Sequence, residues 1–248
     1  MGVDVTRDAG VLEIALDRPQ KKNALTADMY ALLADALRDA DRDDAVRVVL
    51  FRGNGDSFCA GNDLEDFAQN PPADEDAPVF RFLQTAAGAA KPFVAAVHGS
   101  AVGIGTTLLL HCELVYAAED TRFALPFTRL GLVPEFASSY LLPLVAGYQR
   151  AAELLLLGEP FDAKKAYEAG FVTRVVPSAE LTGVARDAAR KLAALPPKSV
   201  QRAKALMRGP LLPSLRSQMK TESEMFRPML AEPAARAALE SFLARRKP

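Results

Sequence analysis

Two cysteines and two histidines are all that this 248-residue chain contains of those residue types. Cys59 and Cys112 stand far apart, each among apolar neighbours. No disulfide framework is expected, and two buried thiols in a reducing cytosol are the better reading. Scattered as they are, these four residues give no metal-ligand spacing, and no metal site is expected. An excess of one charge sign is missing too, with 30 basic and 31 acidic residues. No global field draws nucleic acid or an anionic membrane, so an anionic ligand must be caught by local groups. RNA binding is disfavoured further by the lack of a basic stripe or an aromatic-rich strand. No apolar run approaches the roughly 20 residues of a membrane span. The first residues, MGVDVTRDAG, lack the basic and apolar regions of a signal peptide, and the final ARRKP is not a peroxisomal address. These absences lead to an expected cytoplasmic location.

What is present is ordinary for a globular protein: half the residues are hydrophobic and a quarter charged. The length permits one large domain or two small ones. Residues 3–7 and 11–16 are strand-like runs around an Ala9-Gly10 turn, which predicts a hairpin. Thr26 is placed to cap a helix whose apolar positions follow a 3.6-residue spacing. Buried strands are predicted over 46–51, 93–97, 114–118 and 172–176, with a loop over 70–78. Residues 104–112 read as a buried helix, 137–146 and 149–157 as two more, and Asp162 as the cap of another. From Ser178 on, everything reads helical, broken by prolines. Alternating strands and helices followed by a helical tail argue for an α/β core. The division expected is a core over 1–195 and a C-terminal helical region over 196–248.

Three segments carry the chemistry. In residues 57–66 (SFCAGNDLED), a buried strand delivers small residues that let a ligand approach the backbone. The other reading is a plain strand-to-helix turn. In residues 98–107 (HGSAVGIGTT), free N–H groups at a helix start are suited to an anion. No Gly-Lys-Ser/Thr follows, which excludes a P-loop, and the third glycine of a dinucleotide fingerprint is missing. In residues 128–140 (TRLGLVPEFASSY), Glu135 stands among Leu132, Val133, Pro134 and Phe136. Apolar surroundings raise a carboxyl pKa towards the range useful for proton transfer. The alternative is a helix N-terminal carboxylate stabilised by the dipole.

Together with residues 18–25 (RPQKKNAL), 115–123 (VYAAEDTRF), 158–170 (GEPFDAKKAYEAG) and 171–176 (FVTRVV), these segments resemble the crotonase (enoyl-CoA hydratase/isomerase) superfamily, in family order and over almost the whole chain. The resemblance implies a spiral of ββα repeats with C-terminal helices that mediate a homotrimer, or a hexamer as a dimer of trimers. It implies an acyl-CoA thioester as substrate. It also implies an oxyanion hole made by the backbone N–H groups of Ala60 and Ile104. The CoA parts are expected along Lys21, Lys22 and Ala24, then Ala60, Gly61, Asn62, Asp63 and Leu64. Lys21 and Lys22 either approach the CoA phosphates or form an exposed basic turn. Asp63 is expected to order its own turn.

Hydratases of this family use two glutamates, whose positions here fall on Thr107 and Phe127. Neither residue transfers a proton as a carboxylate does. The segment around Glu135 is more similar to the peroxisomal-type Δ3,Δ2-enoyl-CoA isomerases, in which a single glutamate is the acid/base. That chemistry needs no cofactor beyond the CoA of the substrate. The competing readings are a hydratase with atypical acids, using Glu135 with a water held by Thr107 or His98, and a non-catalytic acyl-CoA-binding member. His98 alone reads as a structural histidine.

Overall fold

The computed structural model describes residues 2–69, 72, 74 and 76–244. The expected loop over 70–78 lies partly outside them, at Asn70, Pro71, Ala73 and Glu75, as does most of the ARRKP tail. The predicted hairpin forms from β1 (Val3–Asp8) and β2 (Val11–Leu16), paired antiparallel. Every other neighbour in the large sheet is parallel. After α1 (Ala27–Arg42) the chain lays down β3 (Val48–Gly53), then the short α2 (Leu64–Gln69) and α3 (Pro78–Gly88). A second turn supplies β4 (Phe93–Val97), β5 (Ser100–Val102) and the one-turn α4 (Ile104–Thr107). A third supplies β6 (Leu114–Ala118) and β7 (Arg122–Ala124), then α5 (Ser138–Ala146) and α6 (Tyr148–Ala152). The last comprises β8 (Phe161–Asp162), α7 (Ala163–Glu168) and β9 (Arg174–Val176). The large sheet runs β1-β2-β3-β4-β6-β9 and the small one β5-β7-β8. Each pass therefore leaves one strand in each sheet, and a bridge from Cys59 to Ala101 extends the small sheet into the preceding pass. The result is the spiral of ββα turns that the family resemblance implied.

The central strands β3, β4 and β6 are largely apolar because both of their faces are covered, whereas the edge strand β1 is polar and exposed. Along β3, Val49 and Phe51 point into the main core, while Val48 and Leu50 join a second cluster on the opposite face. That cluster is closed by α8 (Leu181–Ala194), whose Leu181, Ala185, Ala189 and Ala193 form one stripe of mostly small residues. Adjacent turns touch through backbone. A Cβ on Gly99 would lie 1.9 Å from the Asp56 carbonyl oxygen, and one on Gly105 would lie 2.6 Å from that of Cys59.

Thr26 Oγ1 accepts from Met29 N–H and Asp162 from Lys165 N–H, so both expected caps exist. The helix predicted over 104–112 tightens after Thr107 into a 3-10 turn, Leu108–His111, which delivers Cys112 in extended conformation towards β6. The tail forms α9 (Pro197–Arg208), α10 (Leu212–Met229) and α11 (Pro233–Ala244). In α10, Leu215, Met219, Glu222 and Phe226 are buried at helical spacing. The tail thus packs on the main core of the chain, which Leu215 and Met219 join: α10 meets α3 and α5, and α11 meets α2. Among the described residues, no helix is long and apolar enough to cross a membrane.

Candidate active site

The segment expected to carry ligand-binding residues begins as a loop stapled by Asn23. This side chain is fully buried and adopts φ +57°. It donates to the carbonyls of Asn54 (2.9 Å) and Ser57 (2.7 Å) and accepts from Arg18 N–H (2.8 Å). Arg18 reaches from the same loop to Asp63 at 2.5 Å and to Ala24 O at 3.1 Å. Asp63 also accepts from the N–H groups of Glu65 and Asp66, so it orders its own turn and α2, as anticipated. The Arg18 guanidinium and the backbone donors hold its carboxyl below the usual range, against the upward push of burial. Lys21 pairs with Glu65 at 3.0 Å on the surface.

The Ala60 amide departs from expectation. It donates to Lys22 O at 2.9 Å and is committed to the stapled loop. Two residues further on, the Gly61–Asn62 peptide offers a free donor. Gly61 O accepts from Leu25 N–H at 2.8 Å. The peptide is trans, so the Asn62 N–H points the opposite way. It has no acceptor among the described residues. Asn62 is itself fixed by Tyr30, whose hydroxyl donates to its side-chain carbonyl. From the next turn of the spiral, Gly103 O accepts from Thr106 and Thr107 N–H, so the Ile104 N–H projects out of the start of α4.

Asn62 and Ile104, which carry these two amides, line one cavity of about 240 Å³ together with Ala24, Ala60, Gly61, Leu64 and Glu135. Glu135 is the one ionisable side chain among its described lining residues. Three of the expected residues, Lys21, Lys22 and Asp63, stand outside this lining. Phe127 forms part of the cavity wall, whereas Thr107 is fully buried away from it, its hydroxyl without a partner among the described residues. His98 bonds Gly55 O through Nε2 at 3.0 Å, a satisfied structural histidine.

Glu135 is 8 % exposed, and its Oε1 has no hydrogen-bond partner among the described residues. Burial first, and the Glu222 carboxylate second, push its pKa up to about 8. Its backbone is held by Ser138, which donates to Glu135 O through both N–H (3.1 Å) and Oγ (2.7 Å). The two residues that follow, Phe136 and Ala137, have φ of +59° and +54°. This conformation is unfavourable for a bulky residue and requires outside support. Support comes from two sides. His111 stacks on the Phe136 ring with centroids 3.7 Å apart, and its Nε2 donates to Phe136 O at 2.8 Å. Arg208 donates to His111 Nδ1. Desolvation and that guanidinium hold the imidazole neutral, its pKa well below the ordinary value. On the other side, Glu222 of α10 accepts from Ala137 N–H at 2.6 Å and from Ser139.

A second cavity of about 360 Å³ lies beyond Glu135 and includes Phe80, Phe136, Glu222 and Ser223. Phe67 and Phe226 line both cavities and meet edge to face at 6.3 Å. These contributions from α10, with Leu230 and Ala235 beyond it, were missed from sequence. The readable signal was Glu222 itself, a carboxylate in the apolar stripe of Leu215, Met219 and Phe226.

Three comparisons bear on this geometry. A family profile described as enoyl-CoA hydratase/isomerase matches residues 6–248. The chain is 36% identical over 248 residues to 1,2-epoxyphenylacetyl-CoA isomerase of Escherichia coli (strain K12), covering 97% of this chain and 95% of that protein. It is 39% identical over 213 residues to enoyl-CoA delta isomerase 2 of Rattus norvegicus, covering 84% of this chain and 54% of that longer protein. Among solved structures, an enoyl-CoA hydratase/isomerase from Pseudoalteromonas atlantica T6c superposes with a TM-score of 0.95 at 42% identity, over 100% of this chain and 99% of the other.

Proposed function

This chain belongs to the enoyl-CoA hydratase/isomerase family, and we propose that within it the chain is a Δ3,Δ2-enoyl-CoA isomerase that uses Glu135 as its acid/base. One observation carries the reading. A single buried carboxyl, with an unpartnered oxygen, shares a largely apolar cavity with two outward-facing amides from successive turns.

The substrate is a 3-enoyl thioester whose carbonyl oxygen accepts from the N–H groups of Asn62 and Ile104. The Glu135 carboxylate takes a proton from C2, and the electron pair delocalises over C2–C4 and onto the thioester oxygen. The two amides stabilise that dienolate, each donor contributing about 10²–10³ in rate. The Glu135 carboxyl then returns the proton to C4, the double bond settles between C2 and C3, and the acid is regenerated as carboxylate. A pKa near 8 suits both halves, since the group gives and takes the proton with little bias. The largely apolar walls disfavour an activated water, and Phe127, which lines the cavity, stands where the resemblance places a hydratase's second acid. We further propose self-association, as a trimer or a dimer of trimers, supported by the exposed Leu144, Val145, Tyr148, Leu156 and Leu157.

The test is a paired assay. Conversion of 3-hexenoyl-CoA is expected, with hydration of crotonyl-CoA slower by several orders of magnitude. Glu135→Gln is expected to abolish isomerisation while an acyl-CoA ester still binds with nearly unchanged affinity. Undiminished turnover by that variant removes Glu135 from the mechanism, and dominant hydration overturns the isomerase reading.

A further inference from the structure

We propose that Glu222 is a positioning residue for Glu135, clamping from the C-terminal helix the left-handed turn that aims the acid. This rests on the reading of Glu135 as the acid/base. Glu222 is 4 % exposed and interrupts the apolar face of α10. A carboxylate in such a place is costly unless its oxygens are satisfied. Here they are satisfied by one partner segment only. Oε2 accepts from Ala137 N–H at 2.6 Å, and Oε1 accepts from Ser139 N–H at 3.1 Å and from the Ser139 hydroxyl. Gln218, one turn earlier on α10, donates to Ser139 Oγ at 2.9 Å and orients that hydroxyl towards the carboxylate.

These donors come from residues two and four positions after Glu135. The first of them, Ala137, is the second of the two consecutive residues with positive φ that directly follow Glu135. That backbone has little intrinsic reason to persist, so the clamp decides where Glu135 points. His111 holds the same turn from the opposite side through Phe136 O, but it does so as a neutral ring. Glu222 differs in bringing a charge.

That charge has a second effect. Both carboxyls line the larger cavity, and burial raises both. Glu222 rises only to about 7, because its three donors favour the ionised form. Glu135 lacks such donors and rises to about 8. The donors on Glu222 favour the charge of the pair there and leave the proton to Glu135, whose Oε1 has no partner among the described residues. The other charged groups on that wall are Asp76, ahead of α3, and Arg216 and Lys220 on α10 itself. Lys220 pairs with Glu224 at 3.8 Å. Tyr30 and Cys59, which face Glu135 from the core, stay protonated, their ionisation pushed up by burial.

The experiment compares Glu222→Gln, Glu222→Asp and Ser139→Ala on the full-length protein, with the fold checked by circular dichroism. Each is followed by kcat, KM, the pH profile of kcat, and a direct carbon-13 titration of the Glu135 carboxyl. Glu222→Gln removes the charge and sets an amide N–H₂ or a lone acceptor against the two backbone donors. The expected result is a fall in kcat of at least tenfold, with KM within about threefold of wild type. The Glu135 titration and the kcat profile move together to lower pH by about one unit. Glu222→Asp keeps the charge but shortens the clamp, so kcat falls while the titration stays within a few tenths of a unit. Ser139→Ala removes one donor of three and lowers kcat by a smaller factor, about threefold, without moving the titration. A Glu222→Gln protein with wild-type kcat and an unshifted titration overturns the proposal, as does a fully active Glu222→Asp. Should the carboxyl titration shift while the rate profile does not follow, the assignment of Glu135 as the base fails instead.

Discussion

The Tyr30 hydroxyl donates to the Asn62 side-chain carbonyl, joining α1 to the residue whose main-chain N–H faces the cavity. Tyr30 is fully within the core, and its ring packs on Phe82 with centroids 5.5 Å apart. Removal of the hydroxyl leaves the ring in place and frees the Asn62 turn. Tyr30→Phe is expected to lower kcat by three- to tenfold and to cost about 1 kcal/mol of stability. Steady-state kinetics and urea melts check both numbers; an unchanged kcat would show that Asn62 needs no such tether.

Glu135 makes a stability prediction whose sign depends on pH. Folded, it keeps its proton up to about pH 8, whereas an unfolded glutamate releases it near 4.5. Between those values the folded state binds more protons, so this group's contribution to stability is lost as pH rises through that window. Glu135→Gln removes the effect. The variant is expected to melt higher than wild type at pH 8.5 and to match it at pH 4.5. The gain is expected on the order of 2–3 kcal/mol, allowing for relaxation around a buried charge. Scanning calorimetry at the two pH values decides the matter, and equal melting temperatures at both would contradict the raised pKa.

On the proposed mechanism the same ionisation governs rate. Abstraction from C2 requires the carboxylate, so kcat/KM for a 3-enoyl thioester is expected to climb about tenfold per pH unit below 8 and to level above it. A flat profile between pH 6 and 8 would assign the proton transfer to another group.

Asn23 is expected to matter for folding more than for chemistry. Asn23→Ala deletes three hydrogen bonds and strands the Ser57 carbonyl, at a position with φ +57° where asparagine is favoured. The predicted loss is about 3 kcal/mol, read as a lower denaturation midpoint. Asn23→Gly separates the two contributions, since it relieves the backbone but restores no bond. Glycine matching asparagine in stability would leave the side-chain bonds without a role.

The sequence made the repeating elements legible because burial on both faces leaves a plain signature. Val48 to Phe51 is apolar throughout, and so is Phe93 to Val97. Local capping was legible too, because a short oxygen-bearing side chain ahead of a helical run can accept from a first-turn N–H, as at Thr26 and Asp162. The family resemblance led to Glu135 and to the two glycine turns, and apolar neighbours explained why that acid is unusual. The choice of amide was harder. Ala60 and Asn62 lie two residues apart, and only the Gly61–Leu25 pairing shows which N–H faces the cavity. Glu222 escaped notice because its partners, Ala137 and Ser139, are distant in sequence. A glutamate in the stretch TESEMF looks solvated until the helix register places it beside Met219 and Phe226.

Gly99 and Gly105 have only hydrogen where the turn that carries β4 and β5 rests on the one before it. Asn62 belongs to one of those turns and Ile104 to the next. On the proposed mechanism, the gap across which the two donors would grip an oxygen is therefore ruled by how tightly the ribbon is wound. A methyl wedged between the coils at Gly105 would pry the jaws open from behind, without altering a single atom that meets the substrate.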